Sequence, residues 1–157
     1  MSDLPESAQR VAEAARLAGL EIRVLEMSQG TRSAEDAARA CDCAVDQIVK
    51  TLVFVGLDSG KPYLLLVSGA NRVDETGIAE ILGEGLRRPD AKTVRALTGF
   101  AIGGVAPFGH PEPIATVIDA HLLDYDVVWA AAGTPHCVFS VAPDALKAAT
   151  GARIAAF

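Results

Sequence analysis

The spacing of apolar and polar residues divides the chain into short elements. Leu4, Ala8, Val11, Ala15 and Ala18 recur every three or four positions, which predicts an amphipathic helix over 4–18 stopped by Gly19. In EIRVLEM, 21–27, Ile22 and Val24 alternate with charges and predict a strand. Ser33 opens SAEDAARACD, where its hydroxyl is placed to cap a helix of roughly ten residues and Asp36 to answer it three positions on. VDQI reads as a helical turn. KTLVFVGL, 50–57, and PYLLLVSG, 62–69, are strongly apolar strands joined by the hairpin turn DSGK. Helices over 73–83 and 91–99 enclose a short strand at 85–88. Strands over 114–119, 126–132 and 136–141 follow, then a helix with Pro143 at its start and Gly151 at its end, and ARIAAF as an edge strand.

Helices and strands are mixed without strict βαβ alternation, and hairpins dominate the second half. That pattern predicts an α+β fold, a mixed and largely antiparallel β-sheet flanked by helices, as a single domain over 1–157. A chain of 157 residues is long enough to bury one proper core.

Composition narrows the class. Apolar residues make up 50% and charged residues 22%, the balance of a folded chain rather than a disordered one. No run approaches the ~20 apolar residues of a membrane span, and MSDLPESAQRVAEAAR lacks the order of a secretory leader. With three cysteines, two of them one residue apart, no disulfide framework is expected, and the cytoplasm is the expected compartment. A net charge of −6 argues against DNA or broad nucleic-acid binding, which rests on phosphate neutralisation. Locally, LRRPDAKTVR carries Arg87, Arg88, Lys92 and Arg95 against Asp90; with Arg72 it reads as a basic strip or as a solvated face.

Chemistry enters last. G-x-S-x-G, H-E-x-x-H and GxxxxGK[ST] are all absent. Cys41, Cys43, Cys137, His110, His121 and His136 are candidate soft ligands. However, C-x-C on a helix puts its sulfurs on different faces, so neither a metal nor a cofactor is expected. Lys50 stands at the mouth of an apolar strand, either snorkelling to water or fixed as a cation for a phosphate or carbonyl. His136 opens a strand after a GTP turn, as a backbone cap or a site group. GGVAPFGHP, 103–111, is too rich in glycine and proline for a helix or a central strand. Gly103 and Gly104 offer bare N–H groups for an oxyanion, Pro107 stiffens the approach and Phe108 is placed to wall a pocket. A tight structural crossing would use the same residues.

Three separated stretches carry a resemblance. TRSAEDAARACDCAVDQIVKTLVF, TGFAIGGVAPFGHP with its Gly103-x-x-x-Pro107 loop, and GTPHCVFSVAP are together similar to the YbaK/prolyl-tRNA synthetase-associated editing domain family. The resemblance implies a trans-editing deacylase that hydrolyses the ester of mischarged aminoacyl-tRNA without metal, cofactor or covalent intermediate. The expected substrate is tRNA for proline carrying a small noncognate amino acid, alanine first. In that setting Lys50 holds the 3′ CCA or aminoacyl end, and Gly103, Gly104 and Pro107 fix the ester carbonyl and pocket size. His136 and Thr51 shape or polarise the pocket, Phe108 walls it, and Arg72 with Arg87 and Arg88 meets the acceptor stem. The expected partners are aminoacyl-tRNA and prolyl-tRNA synthetase. A noncatalytic module of the same fold that grips a tRNA end or a synthetase is the alternative.

Overall fold

The centre of PYLLLVS, Leu64 to Val67, is apolar at every position because its strand is covered on both faces. Leu64 and Leu66 point into one core cluster, and Leu65 and Val67 into another. All four are fully buried, each worth about 1.5–3 kcal/mol relative to exposure.

The computed structural model describes residues 4–28, 30–31 and 33–157. In chain order the elements are α1 (Glu6–Leu17), β1 (Val24–Glu26), α2 (Ala34–Cys41), β2 (Val49–Gly56), β3 (Pro62–Ser68), α3 (Glu75–Leu82), β4 (Leu86–Arg87) and α4 (Ala91–Thr98). They continue with β5 (Ala115–Asp119), β6 (Val128–Ala131), β7 (Cys137–Val141), α5 (Pro143–Thr150) and β8 (Arg153–Ala155), with 3-10 turns at Val45–Gln47 and Ala120–Asp124. The chain is α+β and its strand pairing is largely antiparallel. The strands form two sheets rather than one, β1-β7-β6 and β4-β2-β3-β5-β8. Of the strand pairs, β3–β5 and β5–β8 run parallel and the others antiparallel. Among the described residues one bridge, Ile48 to Trp129, links the sheets along their edges.

The larger core lies between the sheets. Val53, Leu64, Leu66 and Ile118 meet Val128, Cys137 and Phe139 there, and Ala8, Val11 and Ala15 of α1 close one side. The small residues of α1 allow its backbone to approach closely, which explains an apolar face made mostly of alanine. The second core is the outer face of the five-stranded sheet, where Phe54, Leu65, Val67 and Val117 pack under Ile78 of α3.

Helix starts follow their caps. Ser33, Asp74 and Asp90 each accept a backbone N–H from three residues on, in α2, α3 and α4. The Asp36 carboxylate, instead of completing a capping box, pairs with Arg39 one turn later. Among the described residues no helix is long and apolar enough to cross a membrane.

Candidate active site

β4 pairs only with Val55 and Gly56, so the first part of β2 has no strand of its own sheet on that side. A cavity of about 420 Å³ runs along this uncovered stretch. Its walls come from β2, from β6 and β7 of the other sheet, and from the loop at 102–105. Val53, Val94, Val105, Ala130 and Val138 make its base apolar. Lys50, Thr51 and Gly103 all line it, so the fold brings two neighbouring strand residues to a loop glycine far along the chain.

Lys50 is half-buried, and its ammonium donates to the Asn71 carbonyl. Burial lowers its pKa most; Glu35 raises it, Arg72 lowers it and Asp119 raises it. An ammonium has three donors, so one held by Asn71 leaves two for a ligand. Thr51 lies beside it on the strand, with its Oγ1 buried and without a hydrogen-bond partner. Such an orphaned hydroxyl in an apolar wall is costly unless an occupant completes it.

The glycine/proline loop is fixed at several points. Gly103 has φ +91°, a left-handed angle that disfavours any side chain. Its N–H has no protein partner among the described residues. The Gly104 N–H donates to Ala101 O at 3.0 Å and is therefore already spent. Glycine is required at 104 for another reason: a Cβ there would lie 2.7–2.8 Å from the backbone of Thr134. His110 Nε2 donates to Ala106 O at 2.8 Å, and burial pushes its pKa down, so the neutral ring serves as a pin.

The other candidates stand elsewhere. Phe108 is buried against Phe139, ring centroids 5.5 Å apart, and with Pro107 it borders a separate, shallower depression. A side chain that large and apolar is more stable in the core than on a pocket rim. His136 is exposed; its main chain accepts from Met27 N–H at 2.7 Å, and its ring is not in the cavity wall. Arg72 is also exposed and reaches the cavity only through its field on Lys50. Arg88 lines the cavity directly, its guanidinium 5.3 Å from the centre of the Phe54 ring. Burial, and then Cys43, push the Cys41 thiol up to about 11, and burial also raises Cys137, conditions that disfavour a thiolate nucleophile. No group of three metal-binding side chains occurs among the described residues.

Trp129 and Asn71 also contribute to the site, and nothing in sequence spacing pointed to them. Trp129 arrives from the second sheet, and Asn71 acts through a backbone carbonyl, which any residue carries.

The model of the aminoacyl-tRNA editing domain matches residues 28–149, a span that contains Lys50, Thr51 and the whole glycine/proline loop. The chain belongs to that family. This editing domain superposes with a TM-score of 0.93 and 46% identity on the crystal structure of a protein proposed to be a trans-editing enzyme for prolyl tRNA synthetase, covering 98% of each chain. It is 26% identical over 124 residues to the uncharacterized protein YwhH of Bacillus subtilis, 79% of this chain and 78% of that one. It is also 30% identical over 97 residues to the proline–tRNA ligase of Limosilactobacillus fermentum. That match takes in 59% of this chain but 17% of the ligase.

Proposed function

We propose that the chain is an aminoacyl-tRNA deacylase acting in trans. Its substrate is tRNA for proline esterified with a small noncognate amino acid, alanine first. The observation that carries this reading is one cavity lined by a cation, an unpaired hydroxyl and a side-chain-free loop residue, in a member of an editing-domain family. Its volume of about 420 Å³ suits an aminoacyl group with part of the terminal ribose.

Lys50 engages the phosphate or carbonyl at the 3′ end with its two remaining donors. The Gly103 N–H faces the ester carbonyl and stabilises the oxygen on which negative charge develops. One such donor is worth about 3 kcal/mol in a water-poor site. Water attacks the ester carbon, helped by the terminal ribose hydroxyl, and the tRNA hydroxyl leaves. An ester is reactive enough that placing water and stabilising the oxyanion suffice without a strong general base. Arg88, with Arg72 and Arg87 outside, offers a path for the acceptor stem on a chain of net charge −6, so tRNA binding should be weak and salt-sensitive.

The test offers the purified protein tRNA for proline charged in turn with alanine, serine, threonine, cysteine and proline, and follows deacylation at two salt concentrations. The expected result is turnover of at least one small noncognate ester, sparing of prolyl-tRNA, and a fall of about 10²-fold or more in Lys50→Ala. Binding without turnover of any ester would establish a noncatalytic module instead.

A further inference from the structure

Asp119 is a buried carboxylate that the mechanism above does not use. It ends β5 at 1% exposure. Its Oδ2 accepts from the Ser68 N–H at 3.0 Å and from Asn71 Nδ2 at 2.8 Å, and its Oδ1 accepts from the His121 N–H at 3.0 Å. Asn71 also donates its own N–H to Ser68 O at 2.9 Å. Main chain and side chain of Asn71 are thus both tied down, and its remaining carbonyl holds the Lys50 ammonium.

We infer that Asp119, acting through Asn71, is a positioning residue that aims the Lys50 ammonium into the cavity. This rests on the role given to Lys50 under Proposed function. A lysine side chain is long and rotatable, so a cation with a geometric task needs an anchor. Asn71 supplies it by occupying one of the three donors and thereby orienting the other two. A backbone carbonyl is only as well placed as its turn, and the buried carboxylate fixes that turn through the Asn71 amide. Asp119 has a second effect, through charge. Lys50 faces Glu35 from α2, Arg72 from the segment after β3 and Asp119 from β5; burial and Arg72 disfavour the charged form, while Glu35 and Asp119 sustain it.

The experiment compares Asp119→Asn, Asn71→Ala and Lys50→Ala, alone and with each of the first two combined with the third. Alanyl-tRNA for proline is the probe, with kcat and KM measured separately. The Lys50 ammonium is titrated by NMR of protein carrying isotopically labelled lysine, its signal assigned by its loss in Lys50→Ala. Both single variants should lose about 10- to 100-fold in kcat/KM. Neither should add to the loss in Lys50→Ala, because the effect passes through that ammonium. The Lys50 titration should move to lower pH in Asp119→Asn. Asn71→Ala leaves the other two donors of Asp119 in place and carries the test if Asp119→Asn does not fold.

A Lys50→Ala defect that neither variant shares, or losses that multiply with it, would overturn this inference alone. A Lys50→Ala protein as active as the parent would overturn the functional reading, and the inference with it.

Discussion

Replacing Gly104 with alanine separates a packing role from a catalytic one. Gly104 is absent from the residues with positive φ, so alanine meets no dihedral penalty there. Its Cβ would instead sit 2.7–2.8 Å from three backbone atoms of Thr134, about 0.7 Å short of ordinary contact at 3.4 Å. Backbone offers no rotamer to relieve this, so the 102–105 loop and the 133–136 turn must separate. Overpacking of this kind costs about 1–3 kcal/mol. For a chain of 157 residues that lowers Tm by roughly 2–12 °C. Gly103, one residue earlier, moves with the loop, and a displacement approaching 1 Å at a reacting group costs on the order of 10²-fold in rate. Urea unfolding and alanyl-tRNA deacylation measure the two effects. Gly19→Ala is the control, with φ +81° and nothing within 4 Å of its Cβ, so it carries dihedral strain without a clash. A Gly104→Ala protein with the parent's urea midpoint and activity would refute the reasoning, because the close approach to Thr134 would then have no consequence.

Two other substitutions follow from unusual polar groups. Thr51→Val removes a buried hydroxyl with no partner, so the free protein should gain up to about 1 kcal/mol in urea unfolding. Deacylation should fall about tenfold, the worth of one hydrogen bond to the substrate; a stability loss would show that the hydroxyl is satisfied in the free protein. His121 Nε2 lies 2.8 Å from Asp46 Oδ2, a contact that raises the His121 pKa from 6.5 and lowers that of Asp46 from 3.8. A raised imidazole adds stability below 6.5 and loses it as pH rises through the folded value. A lowered carboxylate adds stability above 3.8 and loses it as pH falls through its own folded value. The parent should therefore exceed His121→Ala in urea midpoint by most between these two values, and by less on either side. A difference that stays flat with pH would mean the pair does not titrate as described.

Local chemistry made most of the elements readable from the chain. The Ser33 cap and the closing Gly151 were legible in the chain, and the Asp74 and Asp90 caps with left-handed glycines at 83 and 99 bound the two helices between them. KTLVFVGL and PYLLLVSG were legible as strongly apolar strands. Lys50 and the loop at 103 stood out because a cation beside a core strand and clustered glycines and prolines break the surrounding pattern. The division into two sheets did not stand out, because sequence periodicity reports which face is buried and not which strand lies alongside.

The same limit applies to the site. The chain by itself determined the element types, their order, a core built on alanine and branched aliphatics, and the presence of one conspicuous lysine and one stiff loop. Tertiary structure decided that Lys50, Thr51 and Gly103 share a cavity, that the Gly104 N–H is already spent, and that Phe108 belongs to the core. It also decided that Asn71 and Asp119 hold the lysine. A side chain's type and local conformation depend on neighbours within a few residues. Its direction and partners depend on groups that only folding brings near, such as a carboxylate on β5 reaching an amide 48 positions earlier.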